Sequence, residues 1–181
     1  LSISKITSSL VSVQWMADNF DAENLVILDA SMKPVVPAPG DITLEEAGCI
    51  KGARRFDFDN DIRDKSTDLP HMMPSAEFFT EEMQKMGINK ASAIVVYDYM
   101  GIFSSPRAWW MFRAMGHTQV AVLNGGLPAW KNAGFACALQ AETAAKHRGN
   151  FAAQSQSGLF CDSTQVLEAL SDPRFAVLDA R

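Results

Sequence analysis

Short apolar runs recur along this chain between stretches with a helical apolar period. Leu25–Asp29 (LVILD), Ala93–Tyr97 (AIVVY) and Val120–Leu123 (VAVL) are almost wholly apolar and rich in β-branched residues, the pattern of strands buried on both faces. Gly52–Phe58 (GARRFDF) reads as a further strand, and Val11–Phe20 as a short helix. Ser31–Glu46 reads as a long loop with three prolines and Gly40, followed by a turn at Gly48. Residues 57–71 form an acidic, polar loop. Ser75–Met86 is predicted to be a helix that Ser75 starts and Gly87 closes, with Phe78, Met83 and Met86 facing inward. GGLPAWKNAG (125–134) reads as a turn with a short helix. Strands alternating with helices predict an α/β fold, a mostly parallel sheet with helices on both faces.

The stretch 91–117 carries the most information. After the strand Ala93–Tyr97 comes a six-residue loop, Tyr99–Ser104. Ser105 then reads as an N-cap with Pro106 at the first helical position. Ala108, Met111, Phe112 and Met115 give that helix an apolar stripe, and Gly116 ends it. A loop at the carboxyl end of a parallel strand is where such sheets bind anions, because its N–H groups and the helix dipole converge there. This loop has no cysteine, histidine or lysine. Asp98, just before it, can use the same dipole as an acid near a helix N-terminus.

Composition narrows the function classes. At 181 residues the chain suits one full domain, and its formal net charge of −5 argues against nucleic acid and anionic membrane as partners. No apolar run approaches the roughly 20 residues of a transmembrane helix, and LSISKITSSL lacks the apolar core of a signal peptide. Three widely spaced cysteines point to a reducing, cytoplasmic setting. From Gly134 the chain turns small and polar and reads as a linker. DSTQVLEALSDPRFAVLDAR (162–181) then repeats the pattern of VSVQWMADNFDAENLVILDAS (11–31), Leu178-Asp179-Ala180 matching Leu28-Asp29-Ala30. The expected organisation is a domain over 10–135, a linker over 136–160, and the first helix and strand of a second copy over 161–181. A lone helix and strand cannot form a core, so the chain reads as a fragment of a two-domain protein. An arginine at its end is what a trypsin-like cut leaves.

GCIKGARRFDFDND, LPHMMP, VVYDYMGIFSSPRAWWMFRAMGH and VAVLNGGLPAW together resemble the N-terminal domain of the tandem rhodanese sulfurtransferases, which use thiosulfate or 3-mercaptopyruvate. The resemblance covers about residues 10–135, and 162–181 looks like the start of the second rhodanese domain. It implies a five-stranded sheet in each domain, an inactive N-terminal copy and a persulfide-forming cysteine in the C-terminal one, beyond this chain. The implied partners are a small-molecule sulfur donor, a thiol or cyanide acceptor and that C-terminal domain; no cofactor is implied. The position equivalent to the cysteine here is about Asp98, which cannot carry sulfur.

In the mercaptopyruvate branch a histidine of the PHM-x-P run works with an upstream aspartate to move a proton. His71 matches that histidine and Asp59 that aspartate, leaning the donor toward 3-mercaptopyruvate; the bland alternative is a loop histidine bonded to a backbone carbonyl. The family's substrate-binding arginines would lie beyond Arg181. Arg107, of the family's PR pair, is expected in an ion pair tying the helix to a neighbouring loop or domain. Trp109 and Trp110 are expected in the core or at an interface, His117 at a helix end and His147 in the linker.

Three other readings start from spacing. Cys49-Ile-Lys-Gly-Ala-Arg-Arg55 has the C-x5-R spacing of cysteine phosphatases, but Cys49 precedes a strand instead of opening a helix. Cys49 and Lys51 also depart from the His-Ile-Pro-Gly-Ala that the resembling family commonly has. Asp57, Asp59 and Asp61 mimic an EF-hand opening, yet Ile62 stands at its glycine position and Asp68 at its glutamate. Cys137 and Cys161 lie far apart without histidine at ligand spacing, which argues against zinc. A non-catalytic rhodanese-like binding module is the alternative to an enzyme.

Overall fold

The three apolar runs stand side by side at the centre of one parallel sheet in the computed structural model, which describes residues 2–36, 38–142 and 145–178. In chain order the elements are β1 (Leu10–Val11), α1 (Val13–Asp18), β2 (Leu25–Asp29), α2 (Leu44–Ala47), β3 (Cys49–Ile50), β4 (Arg54–Arg55) and α3 (Ala76–Lys85). They continue with β5 (Ala93–Tyr97), α4 (Ser105–Ala114), β6 (Val120–Leu123), α5 (Gly126–Asn132), β7 (Cys137–Ala138) and α6 (Ser163–Ser171). The sheet runs β1–β6–β5–β2–β4 with every pair parallel. The expected α/β fold, a five-stranded sheet with helices on both faces, is therefore what forms.

Side chains alternate across β5 and divide the interior in two. Ile94 and Val96 face a core of Phe56, Phe79, Met83, Met111, Phe112 and Phe151. Val95 and Tyr97 face Met16, Ile27, Ile50, Leu127 and Trp130. α3 and α4 thus cover one face and α1 and α5 the other. The predicted stripe of α4 is confirmed, since Ala108, Met111, Phe112 and Met115 are all buried.

Several local expectations are corrected. Leu10–Val11 is a strand on β6, and the helix begins only at Val13, where the Ser12 hydroxyl caps the Trp15 N–H. The strand expected over Gly52–Phe58 pairs only at Arg54–Arg55, because the chain then turns on the Asp57 carboxylate. Within the loop expected over Ser31–Glu46, Thr43 and Glu46 form a reciprocal capping box that starts α2. On α3 the buried residues are Phe79 and Met83, while Phe78 is half-buried beside Lys65.

Residues 136–160, expected to be a linker, run along the domain where they are described. β7 pairs antiparallel with β3, Glu142 exchanges backbone hydrogen bonds with Ala53 and Arg55, and Phe151 is fully buried. α6 forms as expected; residues 175–178 of the predicted following strand are not in a strand, and 179–181 lie outside the described residues. No helix among the described residues is long and apolar enough to cross a membrane.

His117, expected at a helix end, is buried between Phe112 and Phe151, and its Nε2–H donates to the Ser92 carbonyl at 3.0 Å. Burial pushes its pKa below the ordinary value of 6.5, against the opposing pull of the Ser92 and Gln119 carbonyls. As pH falls through that ordinary value the unfolded chain takes up the proton first, so this group's stability contribution is present above it and declines below it. Urea midpoints are therefore expected to drop between pH 7.5 and 5.5, and His117→Gln to flatten the drop.

Candidate functional site

The loop between β5 and α4 is wrapped around a carboxylate of its own. Asp98, fully buried, follows the last residue of β5. Its Oδ2 accepts N–H bonds from Phe103 (2.9 Å), Ser104 (3.1 Å) and Ser105 (2.9 Å), and the Ser105 hydroxyl at 2.6 Å. Its Oδ1 accepts the Met100 N–H at 3.0 Å. The N-cap expected at Ser105 lies one residue earlier: Ser105 is the first helical residue, and Ser104 holds the cap position without a side-chain bond. Asp98, several residues earlier, takes the N–H groups that a cap would serve. Underneath, the Asp98 carbonyl accepts the Leu127 N–H at 3.0 Å. A Cβ at Gly126 would stand 2.4 Å from the Gly101 oxygen and 2.5 Å from that of Asp98, so only glycine permits this approach. Converging N–H groups at a helix N-terminus make an anion cradle, and here the chain fills it with a group that cannot carry sulfur.

The neighbouring strand end holds a cluster that the sequence did not single out. Asp29 Oδ1 accepts the Ser31 N–H at 3.0 Å and the Ser31 hydroxyl, whose oxygen in turn accepts the Tyr99 N–H at 3.0 Å. Arg55 donates to the Asp29 carbonyl at 3.2 Å and pairs with the Asp29 and Asp57 carboxylates at 3.7 and 3.6 Å. An acid at the carboxyl end of a strand was the available signal.

His71 and Asp59, 12 residues apart in sequence, are brought together with Nε2 2.7 Å from Oδ1. Both side chains remain partly exposed. The Asp57 carboxylate turns the chain by accepting the Asp59 and Asn60 N–H groups at 3.1 and 3.0 Å. On the far side of the loop, the Asp64 N–H donates to the Met72 carbonyl, and the Phe58 ring meets the imidazole edge-on at 5.6 Å. A carboxylate only accepts, so neutral His71 carries its proton on Nε2, and Nδ1, unbonded among the described residues, keeps a lone pair that can take a proton. The alternative of an imidazole bonded to a backbone carbonyl is not what forms.

The ion pair expected of Arg107 is absent among the described residues. Its Nη2 instead donates to the His71 carbonyl at 2.6 Å, and its guanidinium lies against Phe160. Of the two tryptophans expected in the core or at an interface, Trp109 is partly buried against the core and donates to the Val120 carbonyl, while Trp110 meets Phe160. His147 is exposed.

The rival sites have the wrong surroundings. Cys49 is buried on β3, where burial first and Asp29 next push its thiol pKa up, opposite to what a nucleophile needs. Among the described residues no three His, Cys, Asp or Glu side chains gather to hold a metal.

The sequence profile of the rhodanese-like domain matches residues 12–133. An Arabidopsis thaliana protein named thiosulfate/3-mercaptopyruvate sulfurtransferase 2 is 42% identical over 126 residues, which are 70% of this chain and 36% of that protein. The 3-mercaptopyruvate sulfurtransferase of Escherichia coli is 32% identical over 176 residues, 97% of this chain and 62% of that protein. The crystal structure of SseA from Escherichia coli, described as a 3-mercaptopyruvate sulfotransferase, superposes with a TM-score of 0.78 at 32% identity, covering 92% of this chain and 63% of that one. The chain thus spans between 36% and 62% of the length of the two sequence relatives.

Proposed function

The chain belongs to the rhodanese family, and on that premise we propose that it is the supporting half of a sulfurtransferase whose persulfide cysteine lies in a further rhodanese domain. Residues 10–135 form the non-catalytic domain, 136–160 the connection, and 161–181 the opening of the catalytic one. The apolar Leu167, Leu170 and Phe175, exposed on and after α6, suit burial by the rest of such a domain. That domain is the first partner. The others are a sulfur donor, 3-mercaptopyruvate or thiosulfate, and a thiol or cyanide acceptor. No cofactor takes part. The three free cysteines suit a cytoplasmic setting.

The observation that carries the reading is the 2.7 Å contact of His71 with Asp59. With 3-mercaptopyruvate, the cysteine thiolate attacks the donor's thiol sulfur and the carbon–sulfur bond breaks. The electron pair passes to the carbon, giving the pyruvate enolate. The sulfur's proton must leave and a proton must reach that carbon, so sulfur moves and the proton count closes. An imidazole oriented by a carboxylate suits this transfer because one ring nitrogen is held while the other can take up or release a proton. Thiosulfate instead releases sulfite and requires no such proton. The test is thiocyanate formation from each donor, with cyanide as acceptor, using the longest form of the protein that carries these residues. A rate from 3-mercaptopyruvate that depends on His71 supports the reading, and one indifferent to His71→Ala contradicts it.

A second reading, a catalytically inactive binding or regulatory module, is favoured by exposed Met100, Ile102 and Phe103 on the sealed Asp98 loop. It predicts no transfer from either donor.

A further inference from the structure

Arg107, in the first turn of α4, has a half-buried guanidinium and no carboxylate against it among the described residues. Its Nε is buried without a hydrogen-bond partner. A guanidinium taken from water without a counter-charge needs another reason for its place. The polar group that it meets is the His71 carbonyl, 2.6 Å from Nη2. His71 is also the one described non-glycine residue with positive φ, at 58°, a left-handed conformation that L side chains avoid.

Phe160 covers the same guanidinium, its ring centroid 5.7 Å from Cζ, and meets Trp110 edge-on at 6.2 Å. A guanidinium can lie over an aromatic ring and still donate from its edge, a combination that an ammonium does not match. The arrangement joins three places: the N-terminus of α4, the turn that carries His71, and the segment leading into α6.

We propose that Arg107 is the positioning residue of the His71–Asp59 pair. Its guanidinium, shielded by Phe160, holds the His71 carbonyl and so fixes the left-handed turn that aims the imidazole at Asp59. The proposal rests on the proton-handling role given to that pair above. It assigns Arg107 no contact with substrate; it acts through the main chain of His71. Because Phe160 lies in the approach to α6, displacement of that segment would hydrate the guanidinium and loosen the turn.

Nitrogen-15 NMR of the histidine rings in this chain tests the proposal without reference to sulfur transfer. Neutral His71 is expected as the Nε2–H tautomer. Arg107→Ala is expected to move the tautomer ratio about tenfold toward a mixture, the scale of a hydrogen bond to a charged group. Arg107→Lys, which donates to the carbonyl but cannot stack, is expected to restore part of it. Phe160→Ala alters only a half-exposed ring, and is expected to shift the ratio in the same direction to a smaller extent. It serves in place of Arg107→Ala if that variant does not fold. Asp59→Asn must also shift the ratio. A shift with Asp59→Asn and none with Arg107→Ala or Phe160→Ala overturns the proposal and leaves the functional reading intact. No shift even with Asp59→Asn removes the pair itself and overturns both.

Discussion

His71→Ala is expected to slow sulfur transfer from 3-mercaptopyruvate by about a hundredfold or more while slowing transfer from thiosulfate far less. The magnitude is that of one positioned general acid–base group, roughly 10²–10⁴-fold. The contrast between donors comes from proton bookkeeping. Pyruvate leaves as an enolate and must gain a proton at carbon, whereas sulfite leaves as a stable anion. Asp59→Asn keeps the size of the side chain but removes the charge that orients Nε2–H at 2.7 Å. It is expected to fall between wild type and His71→Ala with 3-mercaptopyruvate and to leave thiosulfate turnover near wild type. Steady-state rates with both donors check this directly, and an equal loss for both would show that His71 serves the fold and not the proton.

The second large effect concerns Asp98 and reads out in stability. Asp98→Ala strips the acceptor from the N–H groups of Met100, Phe103, Ser104 and Ser105 and from the Ser105 hydroxyl. Each buried donor left unpaired costs about 1–3 kcal/mol before water or relaxation offsets part of it. A total loss of roughly 3–5 kcal/mol is expected, a fall of about 10 °C in Tm for a chain of this size. Asp98→Asn should fare little better, since its amide nitrogen turns donors toward donors. Formate supplied in solution can replace the missing carboxylate. It is expected to raise the midpoint of Asp98→Ala in thermal melts and to leave wild type unmoved. A wild type stabilised by formate as much as the variant would mean that the cradle is open and that Asp98 does not fill it.

Much of the fold was legible because its signals are local. Three apolar runs announce buried strands, and the apolar spacing of Ala108, Met111, Phe112 and Met115 announces α4. Where the signal is short or distant, the sequence does not declare the element. β1 has two residues and abuts the cap of α1, so it was absorbed into the helix. β7 finds its partner 89 residues back along the chain, and no pattern within residues 136–160 declares it. The Thr43-x-x-Glu46 capping box has a legible spacing, but it sits inside a proline-rich loop that masks the short helix. The phenylalanine that α3 buries is Phe79, because the helix turns Phe78 toward Lys65.

The site divides in the same way. Its location at the end of β5, and the acid beside a helix N-terminus, follow from parallel-sheet geometry. That this acid replaces the serine cap is visible only once the loop folds back on it. His71 and Asp59 were paired through the family resemblance, and the geometry joins them. Arg107 ties α4 to a neighbouring loop as expected, but without the ion pair that an arginine near a helix start suggests. What it holds is a main-chain carbonyl 36 residues earlier, a contact with no sequence signature.

Locating the transferred sulfur shows whether this half of the protein carries the persulfide. The longest form of the protein is treated with 3-mercaptopyruvate without acceptor, and its cysteines are trapped by alkylation and mapped by peptide mass. No persulfide is expected on Cys49, Cys137 or Cys161, and the sulfur is expected on a cysteine of another domain. A persulfide on any of those three that passes to cyanide at the rate of turnover would contradict this.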